Sequence, residues 1–175
     1  MRKTYRFSAS TVALLVTSAC GDGQAPSLSG PSFVTATIDS KPWRADTAPG
    51  DLFALLGPQR VILSARRLTT QPSAEEALSI EFGTTDIFAE RSYPLTSGFA
   101  GFASFRVTTL PPGGPTEVFY STTQEHSGAF TIEASSPQDS VVTGSFAFEA
   151  GPLNGSLEVH HITGRFRVRY TTTAP

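Results

Sequence analysis

Apolar and polar side chains alternate at every second position through most of the chain after its first 32 residues. In one such segment Leu78, Ile80 and Phe82 share one face, and Ser79 and Glu81 share the other. This period of two is typical of half-buried antiparallel strands. The same alternation recurs in three later segments, which are 130–133, 142–149 and 165–170. Two of these segments place apolar side chains on an inner face, and the predicted core residues there are Phe146, Phe148, Phe166 and Val168.

Turn-forming residues separate the alternating segments. The clearest groups are Asp39-Ser40, Pro111-Pro112-Gly113-Gly114-Pro115, Ser135-Ser136-Pro137 and Asn154-Gly155. Strands spaced this closely, without helices long enough to serve as crossovers, predict an all-β fold, an antiparallel β-sandwich of about nine to ten strands. The alternative is a calycin-like β-barrel. Thirteen phenylalanines against one methionine favour a filled core over a hollow ligand barrel.

Two local signals depart from plain strand patterning. Ser73 and Glu76 have the spacing of a capping box, which predicts a single helical turn before the strand pattern resumes. The phase of the alternation changes between Val159 and Phe166, which predicts a bulge or sharp bend near Ile162-Thr163-Gly164.

The N-terminus has the layout of a bacterial export signal. Arg2, Lys3 and Arg6 precede a short apolar run at 12–16, and small residues follow it. The next residue, Cys20, resembles the lipidated cysteine of bacterial lipoproteins, although Thr17 departs from the aliphatic residue usual in that motif. Ordinary cleavage after Ala19, which leaves a free thiol, is the alternative. The expected organisation is a signal peptide at 1–19, a flexible tether at 20–32 and one β-domain at 33–175.

The net charge of the chain and the length of its apolar run bear on whether the protein binds nucleic acid or spans a membrane. Without the 19-residue signal, 156 residues carry 10 basic and 15 acidic side chains, a net charge of −5. A domain of that charge is a poor candidate for binding nucleic acid. The apolar run of the signal is too short to span a bilayer, so the lipid on Cys20 would be the membrane anchor.

Several segments resemble an uncharacterised domain family of small bacterial lipoproteins. The opening 33–43, Phe-Val-Thr-Ala-Thr-Ile-Asp-Ser-Lys-Pro-Trp, is similar to that family's F-x-A-x-I-D-G-K-x-W, with Ser40 in place of glycine. Three of its further motifs also have counterparts: G-x-I-x-I resembles segment 128–132, V-x-G-x-F-x-F resembles 142–148, and G-T-Y-x-L resembles 91–95. The closing motif I-T-x-G-x-F is similar to segment 162–166. The resemblance implies a membrane-tethered all-β domain and transfers no catalytic residue. In lipoproteins of double-membrane bacteria, an aspartate directly after the cysteine tends to retain the protein at the inner membrane, so Gly21 at this position favours the outer membrane by resemblance to them.

Residues that could carry chemistry are few. His126, His160 and His161 are the only imidazoles. Neighbouring positions on a strand point to opposite faces, so His160 and His161 are not expected to share a metal ion. His126 beside Ser127 could form part of a hydrolase site, although turns produce such pairs by chance. Asp86 and Glu90 could face each other as a carboxylate pair, and Glu75 and Glu76 are expected in a solvated loop.

Two features are candidates for binding. Trp43 could offer a platform for sugar stacking or close one end of the core with its N–H bonded to a carbonyl. Arg165, Arg167 and Arg169 lie on one face of the last strand. They could bind phosphate of an envelope polymer, or they could be solvated and balanced by Glu149 or Glu158.

These observations favour a non-enzymatic, monomeric lipoprotein of the outer membrane that serves cell-envelope binding or structure, with no metal or other cofactor. Two other classes remain open. A carbohydrate-binding or adhesive module would display the rings of Phe99, Phe102 and Tyr120, whereas a calycin-like carrier would hold a small apolar ligand in a cavity. The partner is expected to be an envelope polysaccharide or protein.

Overall fold

The computed structural model describes residues 27–48, 50–57, 60–70, 73–83, 90–97, 101–153 and 158–172. All of the regular secondary structure in these ranges is β, which confirms the all-β prediction with eleven strands rather than nine or ten. The strands are β1 (Phe33–Ile38), β2 (Lys41–Arg44), β3 (Leu52–Leu56), β4 (Arg60–Thr70), β5 (Ser73–Gly83), β6 (Ser92–Leu95), β7 (Gly101–Thr109), β8 (Thr116–Ser121), β9 (Gly128–Ser136), β10 (Val141–Pro152) and β11 (His160–Thr172). The signal peptide, Cys20 and the Asn154-Gly155 turn lie outside the described residues.

The strands pair as two sheets that share their two longest members. The first sheet has the order β2-β1-β11-β10-β9-β6. The second sheet has the order β3-β4-β5-β7-β8, and the ends of β11 and β10 extend it on either side. The end of β10, Gly151–Pro152, pairs with β8, and the end of β11 at 170–172 pairs in parallel with β3. Because β10 and β11 turn from one sheet into the other, the pairing β11-β3-β4-β5-β7-β8-β10 closes on itself. The fold therefore combines sandwich layers with a barrel-like closure.

Aromatic rings fill the space between the sheets. The Phe130 ring lies 4.9 Å from Phe82 and 4.7 Å from Phe166, centroid to centroid. The four predicted core residues Phe146, Phe148, Phe166 and Val168 are all buried. The expectation of a filled Phe-rich core is thus confirmed for these strands.

The central pair β10–β11 is held by two glycines that face two phenylalanines. The register places Gly144 opposite Phe166 and Phe146 opposite Gly164. A Cβ on Gly144 would lie only 2.8 Å from the Phe166 ring, and a Cβ on Gly164 would collide with the Phe146 ring and lie 2.5 Å from the Thr35 carbonyl oxygen. Each ring therefore occupies the space that its partner glycine leaves open, a packing that favours this register over its neighbours.

Both local exceptions expected from the sequence are wrong. Ser73 and Glu76 belong to β5, where Glu76 pairs with Arg67 across the ladder, so pairing with β4 overrides the capping-box signal. The β1–β11 and β10–β11 registers run through Ile162-Thr163-Gly164 without interruption, so no bulge lies there. The register shift lies instead between β9 and β10 at Thr143/Gly144.

A two-residue turn joins β1 to β2. Asp39 and Ser40 both have positive φ, 49° and 67°, as a type I′ hairpin requires. Aspartate tolerates this left-handed conformation better than most residues. The turn therefore presents the Asp39 carboxylate at the end of the first sheet.

Substituting Gly164 with alanine should lower the free energy of unfolding by about 1–3 kcal/mol, because the new methyl group overlaps a ring and a backbone oxygen. Gly113→Ala is the matched control, since a Cβ at Gly113 meets no atom within 4 Å. Urea titration of both variants measures the difference. Equal stability of the two variants would show that the Phe146 ring is not held over Gly164.

Candidate functional site

A cleft of about 190 Å³, which we call the end cleft, opens at one end of the sandwich, where the β1–β2 turn meets the second sheet. The first sheet contributes the turn, β2 and the start of β11, and the second contributes β4, β5 and β7. The residues that line the cleft are Ile38, Asp39, Lys41, Pro42, Trp43, Arg67, Glu76, Phe105, Val107 and His160. They join apolar side chains to titratable ones, the composition typical of ligand sites.

Asp39 and His160 are hydrogen-bonded to each other on the first-sheet side. His160 Nδ1 lies 2.5 Å from Asp39 Oδ2, and the His161 backbone N–H donates to Asp39 Oδ1 at 2.9 Å. Burial alone would raise the pKa of Asp39, but the hydrogen bonds from His160 and His161 outweigh it and lower that pKa below its ordinary value of 3.8. The carboxylate is therefore held ionised and fixed in direction.

Aromatic rings fix the His160 imidazole from the second sheet. The Tyr120 ring meets it edge-on at 4.2 Å, and the Phe105 ring does so at 5.5 Å. Burial raises the pKa of the Tyr120 hydroxyl, and the neighbouring Glu158 carboxylate raises it further. The His160 side chain is only 12% exposed, so its position is set by packing as well as by Asp39.

Arg67 and Glu76 form the opposite wall beside Trp43. Arg67 Nη2 lies 2.6 Å from Glu76 Oε2, and its guanidinium lies 5.8 Å from the Trp43 ring centroid. Trp43 is 3% exposed, which supports its structural reading as the residue that closes one end of the core. Its expected hydrogen bond to a carbonyl is wrong, however, because the buried Nε1–H has no acceptor among the described residues. A buried donor without a partner is uncommon in folded proteins, so this N–H needs an explanation.

The side chains of the cleft can both donate hydrogen bonds to a ligand and accept them from it. Asp39 and Glu76 offer acceptors, whereas Arg67, Lys41 and the Trp43 N–H offer donors. None of the described residues that line the cleft is a serine, threonine or cysteine. Recognition of a polar ligand is the chemistry that this set of side chains supports.

The other two histidines lie outside this cleft. His161 is directed away from His160, as strand alternation predicts, and its Nδ1 lies 3.3 Å from Glu149. His126 Nδ1 lies 3.6 Å from the Glu149 carboxylate, which is beyond hydrogen-bond length. The neighbouring Ser127 contacts Glu149 only through the backbone, where its carbonyl accepts the Glu149 N–H. Within the described ranges, no three His, Cys, Asp or Glu side chains are placed to hold one metal ion.

Arg167, one of the three candidate arginines, binds the segment that precedes the domain. Its Nε and Nη2 donate to the Pro31 carbonyl at 2.8 and 2.7 Å, and its Nη1 donates to the carbonyls of Ser27, at 3.0 Å, and Ser29. The guanidinium also lies 5.1 Å from the Phe33 ring centroid. We call this arrangement the Arg167 clasp. It holds residues 27–31, part of the expected flexible tether, against β11.

Arg165 and Arg169 have different partners. Arg165 lies 3.8 Å from Glu133, at the border of a shallow groove of about 550 Å³ on the outer face of the first sheet. Arg169 donates to the Asp139 carbonyl at 3.0 Å. The expected balance by Glu149 or Glu158 is wrong, because Glu149 lies beside His126 and His161 and Glu158 lies beside Tyr120.

Other sequence candidates are scattered. Glu75 and Glu76 lie on a strand in ion pairs rather than in a solvated loop, Glu75 with Arg66 and Arg106. Among the rings proposed for display, Tyr120 is buried and Phe102 half-buried. Asp86, the proposed partner of Glu90, and Phe99 lie outside the described residues. Sequence reasoning missed Arg67 and Phe105 in the cleft, since they meet Trp43 and His160 only through the packing of one sheet on the other.

Comparison with known proteins does not assign the chain to a family. No family model, curated protein or solved structure matches the chain. In the part of the chain that the structure describes, no helix is both long and apolar enough to cross a membrane.

Replacing Asp39 with asparagine should make stability less sensitive to acid. Because the folded state lowers the pKa of Asp39, its ionisation stabilises the fold above pH 3.8, and this contribution is lost as the pH falls below that value. Asparagine keeps the left-handed turn, so the variant isolates the charge. Denaturant titrations from about pH 5 to about pH 2 should show a smaller loss for Asp39→Asn than for the parent or Glu125→Gln, an exposed control. Parallel curves would contradict the pairing with His160.

Proposed function

We propose that this protein is a bacterial envelope lipoprotein, anchored to the outer membrane through Cys20, whose non-enzymatic β-domain binds a small polar ligand in the end cleft. The single observation that carries the binding role is the buried Trp43 N–H, which lacks an acceptor among the described residues and belongs to the wall of a cleft lined by the Arg67–Glu76 ion pair and the Asp39–His160 hydrogen bond. The anchoring role is supported by the position of Cys20 after the apolar run of the signal.

The Arg167 clasp supports the tethering part of the proposal. The clasp holds the chain from Ser27 onward, so only the segment from Cys20 to Ser27 separates a lipid on Cys20 from the folded domain. Seven residues reach at most about 25 Å when fully extended, against about 45 Å for the thirteen up to Phe33. A domain on the shorter link stays close to the membrane surface.

The alternative classes receive less support from the same residues. An apolar carrier would strip water from the Arg67–Glu76 and Asp39–His160 pairs without replacing their hydrogen bonds, which is costly. A flat adhesive platform would need Tyr120 displayed, and it is buried.

The membrane anchor predicts that Cys20→Ser abolishes lipid attachment. Producing cells supplied with labelled palmitate should incorporate label into the parent chain and none into the variant, and only the parent should fractionate with membranes. The described domain excludes Cys20, so both chains should show the same circular dichroism. Label retained in the Cys20→Ser chain would rule out this anchor.

Removing the clasp should loosen the segment before the domain. Arg167→Gln loses the charge-assisted bonds to the carbonyls of residues 27–31, so amide hydrogen exchange in 27–33 should speed up at least about tenfold. Arg165→Gln is the matched control, two positions away on the same face and paired with Glu133 instead. Similar exchange in both variants would contradict the clasp.

A further inference from the structure

We infer that the end cleft is a saccharide site that takes one uncharged sugar ring. This inference rests on the proposed function and specifies the ligand class of its site. It draws on four observations: the size of the cleft, the state of its charges, its apolar wall and the unpartnered Trp43 N–H.

The size of the cleft limits the ligand. Its volume of about 190 Å³ falls below the range of about 300–1,000 Å³ that holds drug-sized molecules. It equals the space of about six water molecules in the liquid, since each occupies about 30 Å³. The cleft therefore suits a single small ring, or one ring of a longer chain whose remainder stays outside.

The charges favour a neutral ligand. Arg67 is paired with Glu76 at 2.6 Å, and Asp39 is hydrogen-bonded to His160 at 2.5 Å. With histidine counted as neutral, the charges of Asp39 and Glu76 balance those of Lys41 and Arg67, so the walls carry no net charge before a ligand arrives. A charged ligand would have to compete with one of these pairs, and separating a partly buried pair is costly. Hydroxyl groups both donate and accept, so they can bond to the outer atoms of each pair and leave it intact.

The remaining wall residues match the C–H face and the acceptor oxygens of a sugar ring. Phe105 and Val107 offer an apolar surface for its C–H face. The Trp43 Nε1–H is a donor without an acceptor in a residue that is 3% exposed. Because this nitrogen is itself buried, a ring or hydroxyl oxygen of a sugar would supply its acceptor as the cleft walls adjust around the ligand, whereas an apolar ligand would leave the donor unpaired at a cost of about 1–3 kcal/mol.

The chain provides its own probe for the test. Trp43 is the only tryptophan, so tryptophan emission reports on this cleft alone. The full chain would be titrated with a panel of neutral hexoses and pentoses. Matched ligands would be glucuronate as the anion, glucosamine as the cation and an aliphatic alcohol as the apolar probe. We expect a saturable change in Trp43 emission with at least one neutral sugar and with none of the three others at the same concentration.

Two variants link binding to the walls. Glu76→Gln removes one acceptor charge and should raise the Kd at least about tenfold, as losing a bond to a charged group does. Glu81→Gln is the matched control, because Glu81 also lies on β5 and pairs with an arginine of β4, Arg60, outside the cleft. Asp39→Asn, which keeps the turn, gives a second reading if Glu76→Gln folds poorly by circular dichroism.

The outcomes separate the inference from the proposed function. Saturation by glucuronate, glucosamine or the alcohol, with the neutral sugars silent, would overturn the assignment to a neutral saccharide and leave a binding module of another ligand class. Sugar binding unchanged in both Glu76→Gln and Asp39→Asn would place the site elsewhere and overturn the inference. Silence of Trp43 with every ligand would overturn both the inference and the binding role, whereas palmitate labelling of Cys20 reports on the anchor independently.

Discussion

The register between β10 and β11 is the constraint on which the rest of the structure depends. These two strands are the members common to both sheets, so their alignment fixes both corners of the sandwich. Phe146 over Gly164 and Phe166 over Gly144 set that alignment, since a slip by two residues would oppose ring to ring or glycine to glycine. A slip by one residue would turn the arginines of β11 into the core. The Gly-x-Phe spacing at 144–146 and 164–166 therefore has a packing reason within this chain.

Several parts of the fold could be predicted because they depend on local patterns. Alternation located the strands and the buried Phe148, and the Asp39-Ser40 pair located a hairpin turn. The capping-box signal at Ser73 failed because it competes with ladder pairing on two sides, which local spacing does not register. The extent of β11 likewise depends on its partner β10 rather than on its own sequence.

The candidate site was less accessible to sequence reasoning. Trp43 and His160 were recognisable as unusual residues, but the cleft joins side chains from distant parts of the chain. Glu76 reaches Arg67 only because β5 pairs with β4, and His160 reaches Asp39 only because β11 pairs with β1. The three arginines of β11 make a related point: at equal spacing on one face, each has a different kind of partner, because the neighbouring chain segments differ.

The short strand β1 gives the domain two poles. Its first residue, Phe33, lies under the Arg167 guanidinium where the preceding chain arrives, and its last, Ile38, leads into the turn that carries Asp39 to the cleft. Five residue steps of about 3.4 Å separate these two ends by about 17 Å. A domain attached through its N-terminal segment would thus point the cleft away from the bilayer. Long polymers of the envelope could then reach the cleft end-on without passing between the protein and the lipid.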